Sequence, residues 1–266
     1  MTTVHTLASG SSGNALLVSC DHTHLLVDAG ISCRRIALTL RKCGLTPQDL
    51  DAILITHTHT DHIAGLQTLL KHTSAPVMGS EQTVCELAHR FSAIEARLYK
   101  LELCQPFALR HCTMTPFPTS HDAPGSCGYR IDTANGNVGI LTDTGYVTDE
   151  AADILLGVDL AVLEANHDVE CVHSNSYPSF LKQRILGKEG HLSNEDSARF
   201  AVTLAESGTQ HLILAHLSHE NNTPTMARNA VELALSAAGL TPALSVAPRD
   251  ALSEPYPVFR RALCKK

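Results

Sequence analysis

The segment His57–His62, HTHTDH, follows directly on the apolar run Ile53, Leu54, Ile55 and places four metal-ligand side chains at the mouth of a buried strand. In an extended segment successive side chains point to opposite faces, so His57 and His59 project together and can grip one ion. Asp61 and His62 fall where the chain turns into the helical pattern that begins Ile63, Ala64, Gly65, Leu66, so the same strand end can aim a second ligand pair beside the first. Imidazole suits Zn, Mn or Fe, and a carboxylate adds the charge that a second cation needs nearby. The competing explanation is a His-rich surface turn in a chain with 16 His; four ligand types in six residues after a buried strand argue against it.

At 266 residues, with no linker, low-complexity tract or fixed-period repeat, the chain reads as a single domain, 1–266. Its net charge of -7 gives no global field in favour of nucleic acid, so a polyanionic substrate needs a local basic groove. Nine Cys without a CxxC spacing read as reduced thiols of a cytosolic protein. The start MTTVHTLASG has no basic region followed by an apolar stretch, and no run approaches membrane-spanning length, so a soluble, cytoplasmic protein with no membrane partner is expected. Trp is absent and aromatics are 4%, which leaves few stacking platforms for bases; phosphate contacts should dominate any binding of nucleic acid.

Short apolar runs predict strands at 4–7, 15–19, 25–28, 52–55, 77–79, 113–117, 127–132, 138–142, 160–164, 212–216 and 243–247. Asn135-Gly136 predicts a hairpin between the seventh and eighth of these. Helical periodicity covers 33–43, 63–72, 81–94, 150–156, 179–186, 194–206 and 225–238, with Ser193 and Thr223 as N-caps. Hairpins alternating with amphipathic helices point to an α/β fold, two sheets packed together and flanked by helices.

Further candidate ligands recur at apolar strand termini, where a rigid sheet can hold them. His121 follows the run 113–117 and can add a third imidazole to His57 and His59. Asp143 ends the run Gly139–Thr142, where a carboxylate can bridge two cations, and His216 ends Leu212–Ala215 as a third ligand for Asp61 and His62. This pattern resembles the metallo-β-lactamase fold superfamily across nearly the whole chain, through VDAG, HTHTDH, SHD, LTDTG and LAHLS in that order. The resemblance implies an αββα sandwich of two mixed sheets with two divalent ions, Zn, Mn or Fe, in a cleft along one edge. One ion would use His57, His59 and His121, the other Asp61, His62 and His216, with Asp143 shared and Asp28 ordering the ligands from behind.

Two cations about 3.5 to 4 Å apart can hold a hydroxide at neutral pH, which means hydrolysis and leaves phosphodiesters, lactones, thioesters and β-lactams open. SGSSGN at 9–14, EANHD at 164–168, GHLSNEDSA at 190–198 and HLSHENN at 216–222 resemble the YycJ/WalJ branch of the superfamily, which is associated with 5'-to-3' DNA exonuclease activity. The resemblance implies DNA as substrate, catalytic roles for Asp61, Glu164 and His191, and attack by a metal-bridging hydroxide while His191, charged by Glu164, assists the leaving group. His191 also precedes a helix N-terminus, a place suited to phosphate. Candidate substrate contacts are His167, Ser218, Asn222 and Arg184; Lys182, Lys188, Arg34 and Arg35 are further candidates for a basic groove, and Arg260, Arg261, Lys265 and Lys266 form a basic tail. SGSSGN itself reads mainly as a turn. Between Asp143 and His216 there is room for only a helix or two, so the extra nuclease domain of RNase J-like relatives is missing and substrate grip falls to surface loops or a second subunit, as in a homodimer. The acidic charge and that missing domain keep a small-molecule hydrolase, for a cyclic phosphodiester, lactone or thioester, as the alternative.

Overall fold

The computed structural model describes residues 1–260; Arg261, Cys264, Lys265 and Lys266 lie outside the described residues. Its strands in chain order are β1 (Thr2–Ala8), β2 (Ala15–Cys20), β3 (Thr23–Val27), β4 (Ala52–Leu54), β5 (Val77–Ser80), β6 (Leu98–Leu101), β7 (Phe107–Leu109), β8 (Cys112–Pro118), β9 (Cys127–Thr133), β10 (Gly136–Leu141), β11 (Leu160–Glu164), β12 (His211–Ala215), β13 (Ala243–Val246) and β14 (Tyr256–Val258). The helices are α1 (Cys33–Lys42), α2 (Thr60–Ile63), α3 (Leu66–Leu69), α4 (Glu81–Arg90), α5 (Asp149–Leu155), α6 (Val169–Ser174), α7 (Ser179–Leu186), α8 (Asn194–Ser207) and α9 (Pro224–Ala237). They build two seven-stranded sheets, β14-β1-β2-β3-β4-β5-β6 and β13-β12-β11-β10-β9-β8-β7. Both are mixed: β3 to β6 and β10 to β13 run parallel, and the remaining pairs are antiparallel.

Side-chain alternation sorts each strand between two cores. In β3 and β4, Leu25, Val27, Ala52 and Leu54 face the second sheet, where they meet Met114, Tyr129, Ile140 and Val162. Leu26, Ile53 and Ile55 point the other way, onto Ile36 and Leu40 of α1 and Leu66 and Leu69 of α3. The second sheet covers its outer face with α5, α8 and α9, through Leu155, Leu204, Val231 and Leu235. This is the αββα sandwich that the strand and helix pattern implies. Ser193 and Thr223 cap α8 and α9 as expected, accepting from the backbone N–H of Asp196 and Met226.

Several elements differ from expectation. The helix expected over 63–72 is two single turns, α2 and α3. Gly65 breaks it by donating its N–H to Ala29 O, and a Cβ there would fall 2.0 Å from Ile31 O. The helix expected over 81–94 ends at Arg90 and gives way to a 3₁₀ segment, Ser92–Arg97. The hairpin loop lies one residue earlier than expected, because Gly136 already pairs with Thr133. Between Asp143 and His216 the chain holds α5, β11, α6, α7, α8 and β12, more than the helix or two expected, all of it part of the sandwich or its rim.

Candidate metal centre

Asp28, Asp143, Glu164 and His216 all lie at the carboxyl ends of parallel strands, and HTHTDH leaves β4 in the same way, so one edge of the sandwich collects them. Asp28, Asp143 and His216 adopt φ of 61°, 58° and 55°, in the left-handed region that side chains other than glycine visit rarely. Each such residue costs on the order of 1 kcal/mol and persists only where its surroundings hold it. Around Asp28 backbone lacing supplies that hold: Asp28 N–H donates to Leu54 O, Ala29 N–H to His62 O, and Asn14 N–H to Asp61 O. Gly30 completes the close approach, since a Cβ there would fall 1.6 Å from Asp61 O.

The imidazoles are oriented from behind. His62 Nδ1 donates to Asp28 Oδ2 at 2.8 Å, His216 Nδ1 to Glu164 Oε1 at 2.8 Å, and His121 Nδ1 to Gly190 O at 3.0 Å. Thr56 Oγ1 gives its own proton to Asp28, so it accepts from His57 Nδ1 at 3.0 Å. His59 is turned the other way, with Nε2 3.5 Å from Asp122 Oδ1. Each ring therefore turns its other nitrogen toward the cleft. His57 Nε2 and His59 Nδ1 stand 3.1 Å apart, and His59 Nδ1 and His121 Nε2 3.2 Å. Facing lone pairs at that distance repel one another. Nitrogens about 2.1 Å from one tetrahedral cation lie about 3.4 Å apart, so the three rings fit the edge length of a metal polyhedron. Burial, with help from neighbouring imidazoles, holds His57 and His59 below the ordinary histidine range, in the neutral form that a ligand needs.

Carboxylates complete the set. Asp61 Oδ2 lies 3.5 Å from His62 Nε2 and 3.6 Å from His216 Nε2. Asp143 lies among several of these rings: Oδ2 is 3.4 Å from His62 Nε2, and Oδ1 is 3.4 Å from His216 Nδ1 and 3.8 Å from His121 Nε2. Asp143 Oδ2 and His216 Nε2 are buried without a hydrogen-bond partner, an arrangement that a cation would satisfy. Burial opposes a proton on His216, yet the Asp143, Asp61 and Glu164 carboxylates push it up to about 10; His62 is raised in the same way. A cleft that favours positive charge so strongly favours a divalent cation too. Ligand atoms converge in the groups His57/His59/His121, Asp61/His62/His216, His57/His62/Asp143 and Asp143/Glu164/His191/His216.

Glu164 is fully buried and accepts four hydrogen bonds: from His191 Nδ1 at 2.9 Å and His216 Nδ1 at 2.8 Å on Oε1, and from the N–H groups of Thr144 and Leu192 on Oε2. Burial works against its charge, but the two imidazoles outweigh burial and hold the carboxyl far below the usual range. The sequence pairs Glu164 with His191 alone; the structure shows it joining His191 to His216. Arg184 Nε donates to Asp122 Oδ2 at 2.5 Å, on the rim beside His59 and His121. His167 is buried, its Nδ1 without a partner, and burial lowers it to about 4. Ser218 and Asn222, expected to touch substrate, are instead buried in an internal amide network. Ser218 Oγ accepts from Asn221, and Asn222 bonds Ala165 O and, in both directions, Asn194. Lys182 likewise leaves the expected groove, its ammonium donating to His173 O and Asn175 O.

SGSSGN does more than turn the chain. Asn14 Nδ2 lies 3.1 Å from His62 Nε2, and Ser9 Oγ accepts from His216 N–H. The sequence reading also missed Thr58, whose hydroxyl donates to Glu86 and whose carbonyl accepts from Arg90 NH1 at 2.7 Å. Only its position between two candidate ligands could have signalled it.

Two facing mixed sheets with His and Asp donors gathered at one edge define a metallo-β-lactamase-fold protein of the metal-dependent hydrolase type. The profile of the beta-lactamase superfamily domain matches residues 23–217, and the chain belongs to that superfamily. It is 36% identical to the exodeoxyribonuclease YycJ of Bacillus anthracis, over 88% of this chain and 89% of that one. It is 38% identical to the exodeoxyribonuclease WalJ of Streptococcus pneumoniae, over 83% of each. Among solved structures, the metallo-beta-lactamase fold protein YhfI from Bacillus subtilis superposes with a TM-score of 0.71 at 20% identity, covering 95% of this chain and 99% of its own.

Proposed function

We propose that the chain is a two-metal phosphodiesterase that removes nucleotides from DNA ends in the 5'-to-3' direction. The observation that carries this reading is Glu164, whose Oε1 binds both His191 and His216 and so couples a proton donor to the cation-binding donor set. DNA as substrate is supported by the two relatives named exodeoxyribonucleases; the polarity rests on the resemblance carried by EANHD and GHLSNEDSA. His57, His59 and His121 would hold one cation and Asp61, His62 and His216 the other, with Asp143 shared; Zn, Mn and Fe all suit these donors. When bound, such a pair neutralises charge on the phosphodiester and acidifies the attacking water.

The chain's own residues supply the rest. Glu164 keeps the Nδ1 proton of His191 in place, which leaves the His191 Nε2–H to protonate the departing sugar oxygen. Asp61, a quarter exposed at the mouth of the cleft, accepts a hydrogen bond from the attacking water. Arg184 takes a phosphate on the rim, whereas His167, expected to touch substrate, is almost fully buried. No helix of the described residues is long and apolar enough to cross a membrane, and we place the enzyme in the cytoplasm.

End-labelled DNA with added Mn²⁺ or Zn²⁺ is the test. The wild type should release mononucleotides, and excess chelator or Asp61→Ala should slow release at least about 100-fold. Equal degradation by wild type and variant overturns the reading. Rapid turnover of a cyclic phosphodiester, lactone or thioester with DNA left intact would establish a small-molecule hydrolase instead.

A further inference from the structure

Helix α7 stands on the rim of the metal centre yet buries none of its residues. Its attachments are polar. Arg184 reaches Asp122, Lys182 donates to two backbone carbonyls, and the segment beyond the helix receives the Ser120 hydroxyl on Lys188 O at 2.7 Å and His121 Nδ1 on Gly190 O at 3.0 Å. Leu181, Lys182, Ile185 and Leu186 form its half-buried side, and Phe180, Gln183 and Arg184 its exposed side. At 70% exposure Phe180 is the most exposed aromatic side chain among the described residues. Water is a poor environment for a phenyl ring, and a helix with no core contact gains nothing structural by displaying one.

Phe180 and Arg184 are one turn apart on the same side, with Cβ atoms about 5–6 Å from each other. Arg184 uses only Nε toward Asp122; among the described residues its two terminal nitrogens have no other partner, which leaves donors for an anion. The guanidinium is anchored at the centre's edge, because Asp122 Oδ1 lies 3.5 Å from His59 Nε2 and 3.6 Å from His121 Nε2. An apolar ring beside a tethered cation, continuous with a phosphodiester-cleaving centre, matches the alternation of base and phosphate along a single nucleic-acid strand.

We propose that Phe180 and Arg184 form a nucleotide subsite: a base of a single-stranded DNA end stacks on Phe180 while Arg184 holds the adjoining phosphate. This rests on the reading of the centre as a DNA nuclease, and it gives α7 the substrate grip that net charge -7 does not provide. The experiment is a double-mutant cycle between protein and substrate. Wild type, Phe180→Ala and Phe180→Tyr are compared, with Mn²⁺, on a single-stranded oligodeoxynucleotide and on a series in which each of the first several nucleotides in turn is made abasic. Phe180→Ala should raise KM at least about fivefold, the lower end for base–aromatic stacking, while Phe180→Tyr stays within about twofold of wild type. The alanine penalty should vanish on the substrate that lacks one particular base. An unchanged KM, or a penalty that persists at every abasic position, overturns the subsite and leaves the nuclease reading standing. A wild type that leaves the oligonucleotide intact overturns both.

Discussion

Thr58 sits between the two histidines of the first candidate cation site, and what holds it comes from a different element. Arg90 NH1 donates to Thr58 O at 2.7 Å, Thr58 Oγ1 donates to Glu86, and Arg90 and Glu86 lie 3.8 Å apart along α4. The clamp fixes the backbone that sets the spacing of His57 and His59. Partners of this kind typically change metal affinity 10- to 100-fold. Arg90→Ala should therefore weaken Mn²⁺ or Zn²⁺ binding by at least about tenfold in a chelator competition, with Arg90→Lys recovering part of the loss. An unaltered affinity would show the clamp to be ornamental. At this scale the donor side chains that gather at the edge were legible, because His and Asp types recur at the ends of apolar runs. Their supports were not. Asn14 reads as a turn residue and Glu86 as a solvated helix face, and only tertiary approach brings each to the cleft.

Among the elements, β4 carries the greatest demand, since HTHTDH leaves directly from its end. Its outgoing backbone is stitched to the second sheet: Tyr129 Oη donates to Ile55 O at 2.7 Å, and Cys127 N–H donates to Thr56 O at 3.0 Å. Burial raises the Tyr129 phenol well above its ordinary range, so it remains a donor under all ordinary conditions. Tyr129→Phe keeps the ring in the core and removes one buried hydrogen bond, which should lower unfolding stability by about 1–3 kcal/mol in urea titrations. No loss of stability would mean that water replaces the phenol. The central strands were legible from continuous apolar runs. β6, β7 and β14 were not: they are edge strands of three or four residues, and β6 and β7 each expose two of their side chains, so they carry neither a long apolar run nor clean alternation. α6 is a single capped turn and a half after Asp168, too short to display a helical period.

Across the whole molecule, both sheets turn their parallel strand ends toward one seam, and the negative charge gathered there is a load on the folded chain that a cation would relieve. At a Mn²⁺ concentration about one hundred times its dissociation constant, the gain in unfolding free energy is about 2.7 kcal/mol. For a domain of this size each kcal/mol moves the melting point by about 2–4 °C, so a rise of about 5–10 °C over chelator-treated protein is expected in a thermal scan. An identical melting point in the two conditions would argue against tight cation binding. The sandwich and its edge cleft were legible in outline from the order of strands and helices; the stretch between Asp143 and His216 was underestimated in part because α6, which buries only Val172, is too short to display a helical period.

The left-handed backbone at Asp28 and Asp143 also bears on how such a chain can age in evolution. After glycine, asparagine and aspartate are the residues most at ease there, so an Asp-to-Asn exchange leaves the backbone undisturbed while it removes the charge. The chemistry of this edge can thus be lost in one step that the architecture barely registers. Descendants that keep the sandwich and have abandoned catalysis are within easy reach of this sequence, and asparagine at either position is the mark by which they would be known.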